Sequence, residues 1–181
     1  MEALIRNSIE GVLKDVCEFV LVLANDPNAG GIDVAKGYNI PVATIISKGK
    51  TRENFEDEVS AMLHDYGVEL ICLAGFNRII SSYLIGRYAG RIVNIHPADT
   101  NEFRGLHGYE WAFCEGKQKT KVTVHFVDEG VDTGAIIEQR EVDLSGCATL
   151  EEVESRGLAV EHDVYSVAIE KVCKDIMRKT K

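Results

Sequence analysis

RIVNIHPADTNEFRGLHG, residues 91–108, sets the reading of the whole chain. Ile92-Val93 leads into Asn94, Ile95 and His96, and Pro97 stops the run at once. β-branched content ending on a proline predicts a short buried strand over 92–95. A strand sends residues i and i+2 to one face, so Asn94 and His96 point one way and Ile95 the other. Polar side chains at the end of a buried strand are costly unless they are satisfied within the fold or used by it. Asn94 and His96 are therefore a candidate pair, and local capping is the plainer alternative on position alone.

Outward from this strand, apolar runs alternate with helical patterns. Phe19-Val20-Leu21-Val22-Leu23, Pro41-Val42-Ala43-Thr44-Ile45-Ile46 and Val68-Glu69-Leu70-Ile71-Cys72-Leu73 read as further buried parallel strands. Between the last two, Phe55, Val59, Met62 and Leu63 recur at helical spacing, after a polar entry at Thr51 and before Gly67. Residues 121–127 and 135–139 flank the turn-rich DEGVDTG and predict a hairpin. Thr149 and Glu152 make a capping-box pattern ahead of Val153, Val160, Val164, Val167, Ile169, Val172 and Ile176, which predicts a terminal helix. Strand–helix–strand alternation predicts an α/β fold with an open sheet, and ligands gather beyond the carboxyl ends of such strands, where Asn94 and His96 fall.

Composition bounds the rest. The 181 residues, 45% of them hydrophobic, suffice for one globular domain with a sizeable core. A net charge of −9 argues against nucleic acid or an anionic membrane surface as the principal partner, while leaving room for local basic patches. No apolar run approaches the roughly 20 residues that span a bilayer, and the first residues lack the layout of a secretory signal, so a cytoplasmic protein is expected. Cys17, Cys72, Cys114, Cys147 and Cys173 are odd in number and lack metal-ligand spacing. They read as reduced thiols, three of them in apolar surroundings, with no structural metal.

An ordered set of stretches narrows the reading further. LAGFNRII (73–80), NIHP (94–97), FRGLH (103–107), TVHFV (123–127), DTGAII (132–137) and VEH (160–162) closely resemble the phosphoribosylglycinamide formyltransferases of the wider formyltransferase superfamily, across almost the whole chain. The resemblance implies a Rossmann-like open sheet, mostly parallel, with a C-terminal antiparallel hairpin and flanking helices, as one formyltransferase domain over 1–181. It also implies formyl transfer from 10-formyltetrahydrofolate to glycinamide ribonucleotide in purine synthesis, without a metal, by a monomer or homodimer acting on small molecules.

That chemistry suits the residues. Formyl transfer passes through a tetrahedral centre whose oxygen gains charge, while the folate nitrogen must leave protonated. An asparagine amide donates without changing charge, and a protonated imidazole both donates and delivers a proton. By resemblance Asn94, His96 and Asp132 are the catalytic set, with the Asp132 carboxylate expected to raise the pKa of His96. Without the resemblance, Asp132 before Thr133-Gly134 reads as a turn residue. His125 and His162 are expected to orient neighbours or satisfy core hydrogen bonds, His107 to begin a helix, and Glu151, Glu152 and Glu154 to favour a helix N-terminus.

Binding residues follow by the same resemblance. Asn77, Arg78, Ile79 and Ile80 match a folate-contacting loop whose backbone pairs with the pterin-like ring. Asp128 and Glu129, in the segment running to Asp132, match the opposite wall, and Asn94 also faces the folate. Arg52 matches a position that meets the folate's carboxylate tail, against a plain reading as a solvated helix-start arginine. Glu161 matches a carboxylate that accepts the ribose hydroxyls, against an exposed helix face.

Three departures stand out. Met1-Glu2-Ala3-Leu4-Ile5 resembles the helix that follows the family's first strand and phosphate-binding glycine loop, so either an upstream segment carrying both or a truncated start is expected. Ala98-Asp99-Thr100-Asn101 stands where a Ser-Leu-Leu-Pro run is usual, making an apolar loop polar. Asn77 stands at a position often held by methionine, which backbone recognition tolerates. A formyltetrahydrofolate deformylase-like hydrolase and a folate-binding inactive relative are the alternative functions. A methionyl-tRNA formyltransferase fits poorly, for want of a basic RNA-binding surface.

Overall fold

Each apolar run forms a strand, and each helical pattern packs on one side of it. The computed structural model describes residues 1–179. In chain order the elements are α1 (Glu2–Glu10), β1 (Val22–Ala24), α2 (Gly31–Gly37), β2 (Val42–Thr44), α3 (Arg52–Asp65) and β3 (Ile71–Cys72). They continue with α4 (Ser82–Arg87), β4 (Ile92–His96), α5 (Gly108–Cys114), β5 (Lys119–Phe126), β6 (Ile136–Asp143) and α6 (Leu150–Lys179).

Strand β4 is the hinge of the architecture. Ile92 packs with Phe55, Val59 and Leu63 of α3 and Leu84 of α4, whereas Val93 packs with Val164, Ala168 and Ile169 of α6. Helices therefore cover both faces, as a parallel core requires. Val93, Val122 and Val124 are fully buried, and each such side chain contributes roughly 1.5–3 kcal/mol relative to exposure.

The ladders are parallel at β1–β2 and β3–β4, and antiparallel at β5–β6. Strand β5 also runs antiparallel to β4, setting Asn94 opposite His125 and His96 opposite Thr123. The expected hairpin is present, with a register shift between Val124 and His125.

One expectation changes shape. The open sheet is divided into β1-β2 and β3-β4-β5-β6. Strands β1 and β3 each pair on one edge only among the described residues, and a cleft of about 380 Å³ lined by Leu21, Leu23, Leu70, Ile71 and Leu73 lies between them. The apolar runs at 19–23 and 68–73 are longer than the ladders they make, because a strand with one neighbour has half the hydrogen-bonding partners.

Local chemistry sets the helix starts. Thr51 caps α3 by accepting from Asn54 N at 3.2 Å. At α6, Glu152 N donates to Thr149 Oγ1 at 3.2 Å and Thr149 N to Glu152 Oε2 at 3.3 Å, the reciprocal pair that the sequence predicts. The buried Glu56 of α3 accepts from Ser81 N at 2.8 Å and from the Ser81 hydroxyl, fixing the entry to α4 just after residues 77–80. Helix α6 is tied to the sheet by Tyr165, whose hydroxyl donates to Leu73 O (2.7 Å) and Val93 O (3.1 Å). All five cysteines are free thiols; Cys173 is buried, Cys17 and Cys72 partly so, and Cys114 is exposed. No helix among the described residues is long and apolar enough to cross a membrane.

Candidate active site

Asn94 and His96 share the face of β4 that carries Ile92, and both reach one carboxylate. Asn94 Nδ2 donates to Asp132 Oδ1 at 3.4 Å, and His96 Nδ1 lies 3.4 Å from Asp132 Oδ2. Asp132 reaches them from the β5–β6 connection because its backbone turns back in the left-handed region, at φ +50°. Aspartate is among the few residues that tolerate that conformation, since its short side chain bonds locally. Gly134 lets the turn close: a Cβ there would lie 1.7 Å from Phe126 O.

The 97–107 loop completes the site with two main-chain groups. Gly105 N donates to Asp132 Oδ2 at 2.8 Å, and His96 Nε2 donates to Phe103 O at 3.0 Å. His125 forms a second wall, with Nε2 3.3 Å from Asp132 Oδ1 and Nδ1 donating to Phe126 O at 2.8 Å. Its Nε2 also lies 3.5 Å from Asn94 Nδ2, so Asp132, Asn94 and His125 form one cluster.

Charge follows from these partners. Burial pushes the Asp132 carboxyl up, but the His125 ring, the Gly105 amide and the nearby His96 outweigh it and bring the group down to about 2. The expected elevation of His96 is corrected by the structure. Burial lowers its pKa and wins over Asp132 and the Phe103 carbonyl, which raise it, and neighbouring His125 lowers it further. The reason is that His96 is only 3% exposed, and desolvation penalises a cation more than a carboxylate at 3.4 Å supports it.

The predicted binding residues separate into groups. Arg52, Arg78, Ile79 and Ile80 line the same cleft beside β3. Arg78 donates to Ser47 Oγ at 3.2 Å and lies over the Phe55 ring. Ile80 turns its side chain into the core, whereas Asn77 and Ile79 are exposed. Asp128 and Glu129 are exposed on the turn leading to Asp132, and Asp128 Oδ1 accepts from Gly130 N (3.1 Å) and Thr133 Oγ1 (2.6 Å). Glu161 of α6 is not a bare helix face: its Oε1 accepts from the Tyr109 hydroxyl at 2.6 Å. Burial raises its carboxyl pKa, against the Tyr109 hydrogen bond and His162, which lower it.

His107 begins α5 as expected and pairs with Glu110 at 2.7 Å. His162 departs from expectation. It is exposed, because it falls on the solvent side of α6 while Val164 and Tyr165 turn inward. The groups that sequence reasoning missed are the Phe103 carbonyl, the Gly105 amide and the place of His125 against Asp132. Two are main-chain atoms without a side-chain signature; the third had a signal in its register opposite Asn94. No group of three or more His, Cys, Asp or Glu among the described residues is arranged to hold a metal ion.

Comparison with known proteins fits this geometry. Residues 1–169 match the formyl transferase family profile. The chain is 37% identical over 155 residues to the phosphoribosylglycinamide formyltransferase of Bacillus subtilis, covering 84% of this chain and 78% of that one. It is 43% identical over 138 residues to the trifunctional purine biosynthetic protein adenosine-3 of Drosophila melanogaster, covering 76% of this chain but only 10% of that much longer protein. The crystal structure of phosphoribosylglycinamide formyltransferase from Bacillus halodurans superposes with a TM-score of 0.89 at 38% identity, covering 94% of this chain and 88% of that one. An asparagine, a histidine and an aspartate gathered at the carboxyl end of an α/β sheet, in a chain matched over nearly its whole length, place this chain in the formyl transferase family.

Proposed function

We propose that the chain transfers a formyl group from 10-formyltetrahydrofolate to the amine of glycinamide ribonucleotide, as one formyltransferase domain acting in the cytoplasm on small molecules. The convergence of Asn94 and His96 on Asp132 carries this reading. The amine nitrogen attacks the formyl carbon, and the carbonyl oxygen gains negative charge that the Asn94 amide and the charged His96 ring stabilise by donating hydrogen bonds. His96, neutral at the outset, becomes that charged ring by taking the proton the attacking nitrogen sheds, and hands the same proton to the folate nitrogen as that carbon–nitrogen bond breaks. A buried imidazole held below its ordinary pKa suits both halves of this shuttle: it is neutral enough to accept and a stronger acid once charged. Asp132 stays ionised and steadies the charged ring.

Asn77, Arg78, Ile79 and Ile80 hold the folate ring through their backbone, opposite Asp128 and Glu129. Arg52 meets the folate's carboxylate tail, and Glu161, set by Tyr109, accepts the ribose hydroxyls of the nucleotide.

The test is a transfer assay with both substrates, scored for formylated ribonucleotide and free formate. Ribonucleotide-dependent formylation is expected. Formate released without ribonucleotide would establish the hydrolase instead, and folate binding with neither product would establish an inactive binding protein.

A further inference from the structure

Asp99 is a charged side chain in a place that ordinarily excludes one. It is 7% exposed, immediately beneath the loop that carries Phe103 and Gly105 to the site. An isolated carboxylate there would be strongly disfavoured, but both of its oxygens have donors. Oδ1 accepts from Asn101 N (3.0 Å), Asn101 Nδ2 (3.1 Å) and Gln139 Nε2 (3.2 Å), and Oδ2 lies 2.8 Å from Lys121 Nζ. Lys121 and Gln139 are themselves joined at 3.0 Å, and Gln139 Nε2 reaches Thr123 Oγ1 at 2.9 Å. Thr123 in turn donates to Ala98 O at 2.7 Å. The base of the loop is thus fastened to β5 and β6 by one connected network.

That fastening has a direction. The Asp99 carbonyl accepts from Glu102 N and Phe103 N, both at 2.9 Å, so the turn started at Asp99 fixes the orientation of the Phe103 peptide. Phe103 stacks on Trp111 at 4.9 Å between ring centroids, and its carbonyl accepts a hydrogen bond from His96 Nε2 at 3.0 Å. A carbonyl and a carboxylate both only accept, so Phe103 O at 3.0 Å and Asp132 Oδ2 at 3.4 Å compete for the hydrogen of the neutral ring, and the closer, hydrogen-bonded carbonyl favours Nε2.

We propose that Asp99 is a positioning residue for the reaction: with Lys121 and Gln139 it locks the 97–105 loop so that Phe103 O fixes the tautomer of His96. An ion pair whose lysine side chain is 39% exposed adds little net stability, so the value of this one lies in the geometry it fixes. The proposal rests on His96 being the proton carrier.

The experiment uses the full chain and the variants Asp99→Asn, Lys121→Met and Lys121→Arg, with His96→Ala as reference. Nitrogen-15 NMR of the His96 ring reads the tautomer, and steady-state kinetics read kcat and KM. In the wild-type chain the neutral ring carries hydrogen on Nε2. Asp99→Asn and Lys121→Met are expected to shift it toward hydrogen on Nδ1 and to lower kcat about tenfold with little change in KM. Lys121→Arg, which keeps the charge, is expected to retain both properties. Should Asp99→Asn prove unfolded, Lys121→Met alone decides, since it leaves the carboxylate and its Asn101 turn in place. An unchanged tautomer with unchanged kcat, alongside a lowered Tm, would reduce Asp99 to a structural anchor and overturn the proposal. Unimpaired turnover in His96→Ala would instead overturn the catalytic reading on which it rests, a separate result.

Discussion

The two oxygens of Asp132 are divided between Asn94 Nδ2 and His96 Nδ1, each at 3.4 Å, so one carboxylate fixes both the amide and the imidazole of β4. The same oxygen that faces His96 accepts the Gly105 amide at 2.8 Å, which ties the loop to the pair. Strand, turn and loop are therefore held at a single point.

Removing the charge at that point should act on turnover. Asp132→Asn and His96→Ala are each expected to lower kcat by a factor on the order of 10²–10⁴, the usual worth of positioned acid–base catalysis, with KM for either substrate changing little. The double variant should lose no more than the worse single one, because the residues act as a unit. Multiplying losses in steady-state kinetics would show that they work independently.

Acid should destabilise the fold in two stages. Asp132 has a folded pKa of about 2, below its ordinary 3.8, so its contribution is present above the unfolded value and is lost as pH falls toward 2. That depression corresponds to about 2 kcal/mol. His96 is also lowered, so the unfolded chain takes up its proton first, and stability begins to fall as pH drops through the ordinary histidine range near 6.5. Urea midpoints between pH 8 and pH 2 should decline in both windows. His96→Gln should flatten the upper decline and Asp132→Asn the lower one.

Gly157 is required by contact. A Cβ there would meet the Tyr109 ring at 2.1 Å, so Gly157→Ala must displace the side chain that holds Glu161. The expected loss is about 1–3 kcal/mol, as for other overpacked sites. Thermal unfolding measures it, and adding Tyr109→Ala should relieve the clash while leaving Glu161 without its hydroxyl partner.

Glu161, the proposed partner of the ribose hydroxyls, stands outside the cluster around Asp132. Glu161→Gln keeps the size and the Tyr109 contact but loses the charge. It should raise KM for the ribonucleotide about tenfold, the scale of one charge-assisted hydrogen bond, with kcat and folate KM unchanged. A fall in kcat at saturating ribonucleotide would move Glu161 into the chemistry.

Much of the fold was legible because its signals are local. The period of two over 92–96 put Asn94 and His96 on one face, DEGVDTG announced the β5–β6 turn, and the Thr149/Glu152 pair announced α6, since strand alternation, turn residues and caps act within a few residues. Resemblance supplied Asp132. Only the tertiary structure decided how these parts meet, because the groups concerned are distant in sequence or belong to the main chain. It divided the sheet between β1 and β3, set His125 against Asp132, and brought the Phe103 carbonyl and Gly105 amide to the site. It also reversed the expected shift of His96. Burial, which depends on everything packed around the ring, outweighed the single carboxylate that the sequence could name.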